Sequence, residues 1–99
     1  MLSTFGDADT AARVARTLVE ESLVACVNII PTVRSIYRWQ GAIEDDAEQL
    51  LLIKTTDERV DALQSALLAR HPYEVPEFVV IRMDEARGAW REWLLDSVR

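Results

Sequence analysis

The chain has 99 residues, with 17 acidic and 11 basic side chains and a net charge of −6 at neutral pH. Domains commonly run to roughly 100–150 residues, so this length predicts one domain over residues 1–99. The acidic balance excludes nucleic acid and anionic membrane surfaces as main partners, because both require clustered Lys and Arg.

The amino-terminal segment predicts a short strand followed by a helix. Residues 2–5 form the strand, which ends at Gly6, and Asp7 or Asp9 can cap the helix that follows. The helix is expected to end near Ser22. Its inward face is predicted to carry Ala8, Ala11, Ala12, Ala15, Leu18 and Val19, which recur at helical spacing.

Two long strands that form a hairpin are predicted next. Residues 23–39 have the pattern of one strand that Pro31 interrupts, because proline cannot donate a ladder hydrogen bond. Gly41 lies in the connecting turn, and the acidic residues 44–46 are expected to stay in solvent. Residues 48–55 then return as the third strand.

The carboxyl-terminal half predicts a helix, a fourth strand and a last helix. Residues 55–58, Thr-Thr-Asp-Glu, have the pattern of a capping box, and the helix must end near Arg70 because Pro72 disfavours helical backbone before it. Residues 77–83 are predicted to form the fourth strand, and Asp84 to cap the last helix. The predicted inward faces are Val60, Leu63, Leu67 and Leu68, and then Ala86, Ala89, Trp90, Trp93 and Leu94.

The order β-α-β-β-α-β with an extra carboxyl-terminal helix predicts an α+β, ferredoxin-like fold. Both main helices then pack on one face of an antiparallel sheet, and the other face should be polar. Residues 24–30, 50–53 and 78–81 are instead apolar at consecutive positions. Something must cover that second face, so we expect the chain to self-associate through its sheet.

His71 is the only histidine, which makes it the first candidate for acid–base or metal chemistry. The alternative is a structural histidine at a helix end. No second His or Cys stands at ligand spacing, so a metal site would need carboxylates such as Glu48 or Glu77 from another subunit. Cys26 lies in an apolar strand, where packing is a more common role for a free cysteine than ligation.

Other side chains offer ligand contacts but no catalytic constellation. Lys54 can present a positive charge to an anion or pair with Glu48, and Trp39 can stack on a ligand or pack in an interface. No nucleophile elbow, phosphate loop or paired-carboxylate motif occurs, so no enzyme is predicted. An acylphosphatase shares the element order but needs an arginine-bearing phosphate loop after the first strand, where this chain has the acidic Asp7.

The cellular compartment is predicted from what the sequence lacks. Its first residues have neither the charged nor the long apolar region of a signal peptide, and no apolar run approaches the ~20 residues of a membrane span. The lone Cys26 cannot form an intrachain disulfide. A cytoplasmic location without membrane contact is therefore expected.

Four sequence blocks occur together: Ala25-Cys26-Val27-Asn28-Ile29, Ser35-Ile36-Tyr37-Arg38-Trp39-Gln40-Gly41, Ile53-Lys54-Thr55 and His71-Pro72-Tyr73-Glu74-Val75-Pro76-Glu77. In this order and spacing the chain resembles the CutA family of divalent-cation tolerance proteins. The resemblance implies a ferredoxin-like subunit in a tight homotrimer, a link to copper and other divalent cations bound in clefts between subunits, and no established enzymatic reaction.

Two departures from the family affect the metal site. Some bacterial members carry a cysteine in the first strand and a second histidine before the His-Pro step, where this chain has Ser3 and Arg70. Only His71 of that set is present, so weaker or differently ligated copper binding is expected. The first strand is also short at its amino end, which suggests a trimmed or mis-assigned start.

The leading hypothesis is a non-enzymatic homotrimer that binds a divalent cation, with Cu(II) the first candidate, and acts in metal-ion tolerance. Its ligands would be His71, Glu77 and Glu48, with Cys26 a weaker candidate. One alternative is a PII-like regulatory trimer whose intersubunit clefts hold a small anionic metabolite near Lys54, Tyr73 and Trp39. Another is an assembly scaffold that binds no small ligand.

Overall fold

The structure, a computed structural model, describes residues 1–99 without a gap. Three strands and three helices follow one another along the chain. In chain order they are β1 (Leu2–Phe5), α1 (Ala8–Glu20), β2 (Cys26–Trp39), β3 (Ala42–Lys54), a 3-10 turn (Asp57–Arg59), α2 (Val60–Arg70) and α3 (Gly88–Ser97).

The strands form one antiparallel sheet in the order β1-β3-β2. Gln40 and Gly41 connect β2 to β3 with φ angles of 48° and 82°, the left-handed pair that a two-residue hairpin turn requires. The predicted interruption at Pro31 is confirmed as a bulge, where the β2–β3 register shifts between Ile30 and Val33.

The predicted fourth strand over residues 77–83 is wrong. This segment makes a single bridge, in which the Leu2 N–H donates to the Val79 carbonyl at 2.8 Å and the Val79 N–H donates back at 3.1 Å. Of the four residues of β1, only Leu2 pairs with this segment through its backbone, while Ser3 bonds to it through its side-chain hydroxyl. The observed fold is therefore a small α+β fold with an open three-stranded antiparallel sheet.

The third strand begins six residues earlier than predicted, at Ala42 rather than Glu48. The acidic residues 44–46 thus belong to the ladder, although Asp45 and Asp46 remain exposed. Basic and hydroxyl groups on β2 stabilise them there: Arg34 forms a bidentate pair with Asp45, at 2.8 and 2.6 Å. A run of acids can therefore extend a hairpin when the facing strand supplies donors.

The first helix has the predicted cap but a different inward face. The Asp7 carboxylate accepts the Thr10 N–H at 2.8 Å. The buried stripe is Ala11, Val14, Ala15 and Leu18, whereas the predicted Ala8, Ala12 and Val19 are exposed. The spacing of the alanines therefore predicted the wrong buried face. Val14, which is larger than alanine, lies at the centre of the face that is buried.

The second helix ends at Arg70 as predicted, but its start is not a capping box. The Thr55 hydroxyl donates to the Leu23 carbonyl at 2.7 Å instead, and Thr56 makes no side-chain cap bond. Leu63 and Leu67 point inward as predicted, while Leu68 is exposed.

The third helix begins later than predicted, after Arg87 rather than after Asp84, and has no side-chain cap. Only Leu94 of its predicted inward face is buried. Trp90 and Trp93 form a tilted pair and are 42% and 45% exposed in the single chain. No helix of this protein has both the length and the apolar character that crossing a bilayer requires.

The core lies between the sheet and the first two helices, and its fully buried side chains are Phe5, Leu18, Leu51, Leu63 and Leu67. The long hairpin extends beyond it. The chain exposes 6478 Å², whereas a compact monomer of 11.2 kDa exposes about 5,700 Å². Its radius of gyration is 14.3 Å, against about 12.6 Å for a compact domain of this length. The single chain thus leaves more surface uncovered than a typical monomer.

Candidate functional site

A cleft of about 710 Å³ lies on the hairpin beneath the segment that follows α2. Strand alternation turns Ser35, Tyr37 and Trp39 of β2 toward the same face as Glu48 of β3. The opposite wall comes from residues 72–77, which bend at positions 73–75. We call this space the hairpin cleft; its lining residues are Thr4, Ser35, Tyr37, Arg38, Trp39, Glu48, Pro72, Tyr73, Glu74, Val75 and Glu77.

Glu48 is the buried acid of the hairpin cleft, with only 7% of its surface exposed. The Tyr73 hydroxyl donates to its Oε2 at 2.8 Å. No protein donor reaches its other oxygen, Oε1, and every fully buried side-chain polar atom of the chain has a partner. Oε1 therefore keeps access to the cleft and can accept a hydrogen bond or bind a cation.

His71 lies behind Tyr73 and fixes its position. Its Nδ1 accepts the Tyr73 backbone N–H at 3.1 Å, so Nε2 carries the proton and donates to the Thr4 carbonyl at 2.8 Å. The ring stacks on Phe5 with centroids 4.0 Å apart. Burial lowers the pKa of His71, against smaller opposing effects of the Thr4 bond and of Glu48. A neutral imidazole, with both nitrogens engaged, thus supports the tyrosine.

Gly6 makes room for the tyrosine ring. A Cβ at this position would lie 2.9 Å from the Tyr73 hydroxyl oxygen, closer than real Cβ contacts come. The absence of a side chain at Gly6 therefore lets Tyr73 reach Glu48.

The two tyrosines remain protonated donors. Burial, followed by the bond to Glu48, raises the pKa of Tyr73 well above its usual range. The hydrogen bond to Asp46, 2.6 Å long, is the main cause that raises the pKa of Tyr37 to about 12. The carboxylates that line the cleft, Glu48, Glu74 and Glu77, outnumber its one basic side chain, Arg38. The cleft therefore favours positively charged ligands.

The sequence-predicted site residues divide between the two ends of the hairpin. Glu48, Glu77, Tyr73 and Trp39 line the hairpin cleft, and His71 lies directly behind it. Lys54 and Cys26 face each other at the far end of the ladder. Six residues of β3 separate Lys54 from Glu48, a span of about 20 Å.

Lys54 has different surroundings from the hairpin cleft. Its ammonium group donates to the Asn28 side-chain carbonyl. It lines a second, mostly apolar cleft of about 590 Å³ that also contains Asp57, Arg82 and Leu94. One chain therefore does not bring Lys54 together with Tyr73 and Trp39, the three residues predicted to hold an anion.

Ser3 and Arg70, which stand where the resemblance led us to expect a cysteine and a second histidine, have structural roles. Ser3 is fully buried, and its hydroxyl donates to the Glu77 carbonyl at 2.8 Å. Arg70 pairs with Glu21 at 3.0 Å and donates to the Ala66 carbonyl at 2.9 Å. No three His, Cys, Asp or Glu side chains meet closely enough to hold a metal ion within one chain.

Sequence reasoning did not single out Arg38 and Glu74 as cleft residues. The signal for Glu74 was the pair Pro72 and Pro76, which restrict the backbone of a segment that bends at residues 73–75. Arg38 lies between Tyr37 and Trp39, so strand alternation directs it away from them, and its place in the lining depends on the twist near the hairpin turn.

A family described as CutA1 divalent ion tolerance protein matches residues 1–97. The divalent-cation tolerance protein CutA of Thermus thermophilus is 43% identical over 98% of this chain and 94% of that protein. The chain spans about half the length of several plant and mammalian relatives.

Solved structures share the fold. CutA of Xylella fastidiosa has a TM-score of 0.95 and 38% identity, over 99% of this chain and 94% of that one. The periplasmic divalent cation tolerance protein CutA of Archaeoglobus fulgidus has a TM-score of 0.94 and 30% identity, over 99% and 95%.

Proposed function

Because this chain belongs to the CutA1 divalent ion tolerance family, we propose that it is a non-enzymatic protein that binds a divalent cation in the hairpin cleft and acts in metal-ion tolerance. In this proposal residues 1–99 act as one domain, in the cytoplasm, as a homotrimer. The main support for the proposal is that Glu48 is buried in this cleft while its Oε1 accepts no hydrogen bond from the protein.

Glu48 is the anchoring ligand in this proposal, and Glu77 is the second. Both line the same cleft, and carboxylate oxygens bind divalent cations. His71 can bind a cation only if its ring gives up the Thr4 or the Tyr73 bond, so the carboxylates are the first ligands to test. Cys26 lies too far along the sheet to join them unless another subunit supplies it.

A second subunit completes the coordination in this proposal, since one chain does not assemble three ligand groups. Exposed apolar side chains support self-association. They lie in the segment after the cleft, where Val79, Val80 and Ile81 are 42%, 44% and 58% exposed, and on α3 at Trp90 and Trp93. A symmetric assembly that covers them would contain one hairpin cleft for each subunit.

Cu(II) is the first ion to test. Among divalent first-row metals it binds nitrogen and oxygen ligands most tightly, and the cleft offers carboxylates with an imidazole behind them. The anion-binding alternative has less support, because Lys54 lies outside the hairpin cleft and acids predominate inside it.

Calorimetric titration with Cu(II) and with Mg²⁺ tests the proposal in wild-type protein, Glu48→Gln and Glu20→Gln. Glu20 is an exposed acid on α1 without an ion pair, so its variant controls for net charge. We expect Cu(II) binding that Glu48→Gln weakens by roughly tenfold or more and Glu20→Gln leaves unchanged. Equal loss in both variants, or binding to neither ion by the wild type, would contradict the proposal.

A further inference from the structure

The hairpin cleft is large for a bare ion. Its volume is about 710 Å³, within the range of small-molecule sites, which commonly measure roughly 300–1,000 Å³. Its three carboxylates line one space without forming a cluster that could hold a metal. A ligand that contacts two of them can extend along the cleft.

The other walls of the cleft are aromatic. Tyr37, Trp39 and Tyr73 line it and are 40%, 37% and 36% exposed, so their rings remain accessible. Aromatic faces attract organic cations, and they also cover aliphatic chains. Bare divalent ions bind water and other oxygen ligands, so aromatic walls add little to their binding energy.

We propose that the hairpin cleft binds a small aliphatic polyamine. One ammonium group donates to the free Oε1 of Glu48, a second pairs with Glu77 or Glu74, and the methylene chain lies on Trp39 and Tyr73. This inference goes beyond the divalent-cation proposal, and either one can fail without the other.

A linear polyamine suits this cleft better than other organic ligands. Anions would face three carboxylates with only Arg38 to oppose them. Quaternary ammonium ions would leave Oε1 of Glu48 without a donor, although the residue is buried and its carboxylate accepts only the Tyr73 hydroxyl. Primary ammonium groups supply both the charge and the missing hydrogen bond.

The experiment is calorimetric titration of the full chain with putrescine, in EDTA so that divalent ions are absent, and with 1,4-butanediol as the uncharged counterpart. We expect saturable putrescine binding and no heat from the diol. Glu48→Gln should weaken binding by roughly tenfold and Trp39→Leu by about fivefold, while Glu20→Gln changes nothing. Each variant is first checked for an unchanged oligomeric state and melting temperature.

Three outcomes would overturn the inference. The first is equal binding of the diol, which would make the charge irrelevant. The second is an equal affinity loss in Glu48→Gln and Glu20→Gln, which would indicate nonspecific attraction to an acidic protein. The third is putrescine binding that disappears when EDTA removes the metal. Failure of putrescine together with intact Cu(II) binding would leave the divalent-cation proposal standing alone.

Discussion

The Tyr73 hydroxyl donates a 2.8 Å hydrogen bond to the buried carboxylate of Glu48, a residue 25 positions earlier in the chain. This bond joins the segment after α2 to the middle of β3 and fixes one oxygen of the acid that dominates the hairpin cleft. Gly6 provides space for it and His71 orients it from behind.

Tyr73→Phe should destabilise the protein by about 1–3 kcal/mol, because it removes the only protein donor to the carboxylate of Glu48, a residue that is 7% exposed. Urea denaturation monitored by circular dichroism measures the change. Tyr37→Phe is the matched control, since its partner Asp46 is solvent-exposed, and a smaller loss is expected there. Equal losses in the two variants would mean that Glu48 finds another donor.

Gly6→Ala should destabilise the protein by about 1 kcal/mol, because the Tyr73 hydroxyl lies 2.9 Å from the added Cβ and must shift, which weakens its bond to Glu48. In a Tyr73→Phe background the nearest remaining atom is the ring Cε1, at an ordinary 3.7 Å. Gly6→Ala should therefore cost much less stability in the Tyr73→Phe background than in the wild type. A double-mutant cycle of unfolding free energies measures this difference. If the two substitutions had additive effects on the unfolding free energy, the cost of Gly6→Ala would not come from the Tyr73 hydroxyl.

The stability of the metal-free protein should fall on mild acidification. Burial is the main cause that lowers the pKa of His71 below its ordinary value of 6.5, so the unfolded chain takes up a proton more readily than the folded one. The stability that the neutral, buried His71 contributes is fully present above pH 6.5. It is lost as the pH falls through the lower pKa of His71 in the folded protein.

Urea unfolding midpoints measured at about pH 7.5 and about pH 5.5 test whether His71 causes this loss of stability. Wild-type protein should lose more stability between the two conditions than His71→Gln, in which the titrating group is absent. An identical pH dependence in the two proteins would show that carboxylates, rather than His71, account for the loss.

Thr32→Asn should stabilise the protein by about 1 kcal/mol. Thr32 lies in the β2 bulge with a φ of 61°, a conformation that β-branched residues adopt with strain and asparagine adopts more easily. Its side chain is exposed, so no packing is lost. Thr32→Ala serves as the control in thermal denaturation, because alanine retains the strain; the same gain in both variants would refute the explanation.

The sequence correctly predicted those helix and strand features that residues next to them in the chain determine. Asp7 caps the first helix, Pro31 breaks the second strand, and the second helix ends before Pro72, each for a backbone reason visible in sequence. The segment 77–83 failed as a strand because a strand requires consecutive backbone pairs, and this segment forms only the Leu2–Val79 bridge with β1. The capping box failed because Thr55 bonds to Leu23 instead.

The candidate site was predictable residue by residue but not as an arrangement. Glu48, Tyr73 and His71 were each singled out, yet the bonds that join them depend on how the segment after α2 crosses the sheet. The separation of Lys54 from Glu48 was available from strand geometry, since six residues of extended chain span about 20 Å.

Native mass spectrometry during a Cu(II) titration tests the central claim most directly, because it reports subunit number and metal stoichiometry together. We expect a trimer that binds Cu(II) with a stoichiometry set by its number of clefts, and a Glu48→Gln trimer that binds less Cu(II) at the same concentration. A trimer that stays metal-free would contradict the divalent-cation proposal, and a monomer would contradict the self-association on which the shared site depends.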